Sequence, residues 1–170
     1  MATTTINYTG GTAITIGLAT TPLGSSSSWL TGRESNEVDN TSNKFVDALV
    51  QGKVTVGTSP VAGTQILVYV WGSDTSAASA NLDVLDGVDS DETLTSAGVR
   101  DAVLRLGAVI NVDATTSNRT YWVAPFSVAD LFGQMPKYWG LFVTQNTGAA
   151  LNSTAGNHAF AYTGVKFDTA

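Results

Sequence analysis

An all-β fold, an antiparallel β-sandwich of jelly-roll type with an N-terminal strand or arm, is predicted by three features of the chain. Apolar residues alternate at a period of two over many short windows. Clusters of Gly, Asn, Ser and Pro punctuate those windows at turn-like intervals. Long helical periodicity is missing, which disfavours a parallel sheet covered by helices.

The 170 residues suit one domain, or one domain with an arm. Residues 1–28 read as an arm or first strand followed by a serine-rich link, and residues 29–170 as the sandwich. In the first segment Thr12–Leu18 alternates Ile14 and Ile16 with threonines, a short strand. Pro22, Gly24 and the serines up to Ser28 then mark a flexible connection.

Phe45–Val56 places Val46, Ala48, Val50, Val54 and Val56 on one face and polar residues on the other, with a bend at Gly52. Gln65–Trp71 differs. Ile66, Val68 and Val70 line one face while Leu67, Tyr69 and Trp71 line the other. A strand apolar on both faces needs cover on both. It is either a central strand packed on each side or one whose second face meets another subunit.

Ser73–Val103 is the least strand-like stretch and carries seven of the 14 acidic residues. It reads as a long surface excursion meeting solvent or a partner, with a short helix or turn near Ala97–Leu104. Strands resume at Arg105–Asp113, with Leu106, Ala108, Ile110 and Val112 inward, and at Thr120–Ala124, where Pro125 suggests the strand's end or an edge. A corner with a helical turn spans Phe126–Met135. Tyr138–Gln145 and Ala159–Phe167 close the domain around the Gly148–Gly156 loop. That totals about seven or eight strands, a sandwich pattern.

Charge and composition exclude several function classes. Charged residues make up only 13% of the chain and the net charge is −6. Direct nucleic-acid binding needs a cationic face, so none is expected. No apolar run approaches the ~20 residues of a membrane helix, and the N-terminus lacks the basic-then-apolar pattern of a secretory leader. There is no cysteine, which removes disulfides and thiolate metal sites.

Catalysis finds little support. The lone histidine, His158, sits in a Gly/Asn loop and reads as a polar residue at a loop end. No nucleophile elbow, P-loop or dinucleotide fingerprint is present. The acidic run Asp83–Glu92 invites a Ca²⁺ reading, but it lacks the EF-hand order and reads as a solvated loop. No catalytic residue, metal ligand or cofactor is therefore assigned. Trp71, Trp122 and Trp139 lie in apolar strands and read as core or subunit interface rather than as a sugar-stacking platform.

Three runs carry a resemblance: NTSNKFVDALVQGKVTV at Asn40–Val56, MPKYWGLFVTQNTGAA at Met135–Ala150 and AFAYTGVKF at Ala159–Phe167. Together they resemble the capsid decoration (cement) proteins and related small virion structural proteins of tailed bacteriophages, over most of the chain from about Ser28. The resemblance implies a protein on the outer surface of the phage head, bound to the major capsid protein and to itself, as a homotrimer first and a dimer second. It implies no direct nucleic-acid or membrane partner. Binding across the junction of several capsid subunits adds its free energy to that of the expanded, DNA-filled shell, and many copies multiply the effect. The residues expected at such contacts are Ile14, Ile16 and Leu18 in the arm, Trp29 after the link, and the face formed by Leu67, Tyr69 and Trp71. The alternatives are a head-fibre or tail-fibre receptor-binding domain and a carbohydrate-binding sandwich module.

Overall fold

Two antiparallel sheets pack face to face in the computed structural model, which describes residues 3–169. In chain order the strands are β1 (Thr4–Tyr8), β2 (Thr12–Ile14), β3 (Thr31–Glu34), β4 (Val38–Asp39), β5 (Asp47–Thr55), β6 (Thr64–Ser73), β7 (Asp91–Thr93), β8 (Leu104–Val112), β9 (Thr120–Ser127), β10 (Tyr138–Gln145) and β11 (Ala159–Thr169). The first sheet runs β1-β11-β5-β9, with β2 also on β11. The second runs β7-β3-β10-β6-β8, with β4 on β10. The all-β sandwich expected from the alternation is therefore present.

Alternation builds the main core. Val50 and Val54 of β5 and Phe160 and Tyr162 of β11 point inward from the first sheet. Ile66, Val68 and Val70 of β6 and Trp139, Leu141 and Val143 of β10 meet them from the second. The Trp139 and Tyr162 rings meet edge to face at 5.3 Å.

β6 is a central strand, between β10 and β8, and both its faces are covered by this chain. Its second face lies under the 73–103 excursion. There Trp71 and Phe142 form a separate cluster with Ala77, Leu85, Leu94 and Leu104. The excursion is thus a lid on its own sheet rather than a free acidic loop. It contains a 3-10 turn (Ala77–Ser79), β7 and helix α1 (Ala97–Val103), whose Ser96 cap accepts from the Val99 amide at 3.2 Å.

Polar contacts hold the lid down. Arg33 of β3 pairs with Asp89 at 2.6 Å and Asp91 at 3.2 Å. The buried Glu34 carboxylate accepts from the Asp86 and Gly87 amides at 3.1 and 2.9 Å. Glu37 accepts from the Ala77 amide at 2.6 Å.

Of the two readings of the N-terminal segment, arm or first strand, Thr12–Ile14 forms a strand of the first sheet, and the link after it is packed down rather than loose. Ile14 lies in β2 against Phe160, and Leu18 and Leu23 are buried in the main core. Backbone bonds from Ser26 to Gln145 and from Leu151 to Leu23 stitch the segment down. β1 instead pairs with the end of β11, from Val165, the last residue that β5 reaches, to Thr169.

Two bulges correct the expected strand faces. Opposite the step from Val68 to Tyr69, β8 passes from Ala108 to Leu106, with Gly107 the extra residue. The extra residue shifts the alternation, so Leu106, expected inward, is exposed. In β9 the register passes from Phe126 to Val123 while β5 passes from Val50 to Gly52. Pro125 is accommodated there: β9 is an edge strand, one of the two readings of the proline, and it continues to Ser127 rather than ending at it. Val46, expected inward, lies before the start of β5 and is exposed. The expected helical turn after β9 is α2 (Val128–Phe132), capped by Ser127 and closed by Gly133 at φ +75°.

Candidate interaction surface

The residues expected to contact partners divide into groups. Ile14 and Leu18 are buried, and Ile16 packs against the same core. Leu67 is buried, and Trp71, also buried, and half-buried Tyr69 pack in the cluster under the lid. Ile14, Ile16, Leu18, Tyr69 and Trp71 are thus occupied by intramolecular packing, the first three in the main core and the last two under the lid. Trp29 is half-buried and held at φ +61°, a left-handed conformation unusual for a bulky side chain.

A different set of large apolar side chains faces outward. On β11 the alternation sends Phe160 and Tyr162 into the core, so Ala159, Ala161, Thr163, Val165 and Phe167 share the outer face. Lys53 of β5 stands opposite Ala159, and Trp122 of β9 stands opposite Lys53. Trp122, expected in a core or interface, is 76% exposed. It borders a shallow open groove of about 280 Å³ whose walls include Gln51, Gly52, Lys53, Ala159 and Ala161.

The same face continues onto β1. Ile6 stands opposite Phe167, and Tyr8 opposite Val165. Their exposures are 59% for Ile6, 61% for Tyr8 and 58% for Phe167. β5 leaves β11 at Val165, so among the described residues Lys166–Thr169 pair only with β1. The result is a projecting two-stranded ribbon. Its other face is polar: Asn7 donates to Asp168 at 2.6 Å, and Lys166 pairs with Asp168 at 3.3 Å.

Sequence reasoning missed this face because the exposed residues look like core residues. One signal was available. Trp122 and Val123 have opposite parity, so once Val123 is assigned inward the indole must point out.

Two titratable side chains are hydrogen-bonded within the fold. His158 is half-buried, accepting from the Thr55 amide through Nδ1 at 3.3 Å, with Nε2 2.8 Å from the Asn152 carbonyl. That arrangement fits the neutral tautomer with the proton on Nε2, donated to the carbonyl. Burial lowers its pKa, and nearby Lys53 adds to the effect. Burial raises the Glu34 carboxyl to about 7, outweighing the two amides that favour its ionised form. Among the described residues no three His, Cys, Asp or Glu side chains gather in a metal-binding group. The acidic residues of the 83–92 run are instead spent on the lid: Asp83 accepts from Thr95, Asp86 from the Val88 amide, and Asp89 from Arg33 and the Gly17 amide. No family model, no curated protein and no solved structure matches the chain.

Proposed function

We propose that this protein is a virion structural protein of the capsid decoration type, attached to the outside of a phage head through the outer face of its first sheet. The observation that carries the reading is the placement of its exposed large apolar side chains. The exposed aromatic side chains Tyr8, Phe167 and Trp122, with Ile6, lie on paired strands of a single sheet face, whereas the other exposed apolar residues, Val46, Val61, Val88, Leu106 and Val109, are aliphatic and lie in loops or on the second sheet. Exposed aromatic residues of this kind are enriched at protein interfaces, and a few of them carry most of the binding energy. The partner is the major capsid protein, and the role is mechanical rather than enzymatic.

The strand order supports the same reading. Taken in chain order, β2, β3, β5, β6, β8, β9, β10 and β11 pair as first-eighth-third-sixth and second-seventh-fourth-fifth. We read this as a jelly roll, an architecture used by viral capsid and lectin domains. The negative net charge fits a position outside a DNA-filled shell.

The test is cosedimentation with expanded, undecorated capsids of the encoding phage, followed by heating with and without the protein. Saturable binding at a fixed ratio to the capsid subunit, later DNA release, and loss of both in Trp122→Ser are the expected results. No binding to the shell by the folded wild-type protein overturns the reading.

A second reading rests on the same indole. An exposed Trp beside Gln51 and Lys53 on a sandwich face also suits a sugar ring, with stacking from one side and hydrogen bonds from the other. That makes the protein a receptor-binding fibre domain or carbohydrate-binding module. Binding on a glycan array that Trp122→Ser abolishes favours it over the capsid reading.

A further inference from the structure

Among the described residues, the edges of the two sheets are protected in every case but one. β7 is three residues long and carries Asp91 and Glu92. β9 holds Pro125 and a bulge, and its Phe126 ring lies against Gly107 of β8, so these two edges approach each other. β2 is three residues long. Short strands, charges, prolines and bulges are the usual devices that stop a sheet edge from recruiting another strand. β1 has none of them: its five residues, TTINY, are uncharged, regular and exposed throughout.

Its backbone is set to pair again. The Thr9 amide donates to the Gly164 carbonyl, while the Val165 carbonyl is taken by the Val46 amide on the opposite side. Thr9 is therefore a residue bonded to β11, and Tyr8 is not. Antiparallel alternation then turns the amides and carbonyls of Thr4, Ile6 and Tyr8 toward the free edge.

We propose that two copies of this chain join through β1, antiparallel about a two-fold axis at Ile6. This self-assembly is independent of which surface the outer face binds. Three observations select a second copy as the occupant. With no charge in β1, its own sequence can lie opposite itself without like-charge repulsion. An axis at Ile6 sets Ile6 opposite Ile6 and Thr4 opposite Tyr8, the residues whose backbone groups point outward, so each pair exchanges both of its bonds. The pairing also places Phe167, Ile6, and Ile6 and Phe167 of the second copy in one continuous row. A two-stranded ribbon is marginal alone in water, whereas four strands with an apolar face are not. The interface is isologous, as a closed dimer requires.

The test uses the full chain in solution, without capsids, so its outcome is separate from that of the capsid experiment. Sedimentation velocity is run on the wild type and on Ile6→Pro. The proline removes only a donor that faces away from β11, so the monomer fold is retained, as circular dichroism checks. A second variant, Ile6→Cys, introduces the only thiol in a chain without cysteine. In a directly bonded pair its Cα lies about 5.5 Å from its mate, within disulfide reach. The expected results are a wild-type dimer, a monomer for Ile6→Pro, and near-complete disulfide dimer on mild oxidation of Ile6→Cys, with Thr5→Cys much slower. If Ile6→Pro fails to fold, the cysteine pair decides. A wild-type monomer, an oligomer that survives Ile6→Pro, or Ile6→Cys that crosslinks no faster than Thr5→Cys overturns the proposal.

Discussion

Arg33 Nε sits 2.6 Å from Asp89 Oδ1, and the Gly17 amide donates to the same oxygen at 2.8 Å. One carboxylate thus joins the segment after β2, strand β3 and the lid over Trp71. Asp89→Ala removes the oxygen that accepts from both donors and leaves a largely buried guanidinium with Asp91 and the backbone carbonyl of residue 89. We expect a loss of about 2 kcal/mol and a Tm lower by roughly 4–8 °C. The effect centres on the lid. Limited proteolysis is expected to cut near residues 80–90 before the sandwich unfolds, and acrylamide to quench Trp71 more readily.

Gly140 occupies the other side of that indole. A Cβ placed on it lies 2.6 Å from Cε2 of Trp71, and the ring is fully buried. The ring has no room to retreat, because Leu104, Leu85 and Leu94 back it. Gly140→Ala is therefore expected to destabilise by about 1–3 kcal/mol through overpacking, despite its gain in strand propensity. Urea denaturation measures it. An unchanged midpoint removes the steric account of this glycine.

Where side-chain period alone fixed an element, the sequence was readable. β6 was recognisable as a strand covered on both faces, and β10 and β11 came from their alternation. Three kinds of information were not local. The bulge at Gly107 reverses which side of β8 faces in, and only the partner strand reveals it. β3 reads TGRE, a polar stretch, and is a strand because the lid supplies amides to Glu34 and carboxylates to Arg33. Trp122 looks like core by residue type, and its exposure follows from parity in a bulged edge strand. Ile14, Leu18 and Trp71, expected at partner contacts, are buried within this chain because its own link and lid pack over them, a covering that residue type does not reveal.

Buried Glu34 and half-buried His158 give opposite pH dependences. Glu34 ionises near 4.5 when unfolded and near about 7 when folded. The unfolded state releases its proton first, so this contribution is full below about 4.5 and is lost as pH rises through about 7. The slope approaches ~1.4 kcal/mol per pH unit within that window. His158 acts the other way. Its folded pKa lies below 6.5, so acidification below that value protonates the unfolded chain first and erodes stability. Urea midpoints across this range separate them. Glu34→Gln is expected to abolish the loss toward pH 7, at the cost of one unpaired amide at either Asp86 or Gly87. His158→Asn is expected to remove the acid-side loss. A wild-type slope that Glu34→Gln leaves intact assigns it to other carboxylates.

Trp122 and Trp139 offer the sharpest contrast, because both are indoles in strands and only one is packed. Trp139 is fully buried against Tyr162, and truncation to Ala leaves a large cavity in the main core, worth about 3–5 kcal/mol. Trp122 is 76% exposed and faces the groove beside Lys53, so its truncation forfeits little folding energy, about 0.5 kcal/mol or less. Parallel urea titrations are expected to show that large separation between the two variants. If Trp122→Ala costs as much as Trp139→Ala, the indole is packed within this chain in solution and is not a free contact. If it costs almost nothing while abolishing association with the partner surface, the side chain's exposure serves binding rather than folding.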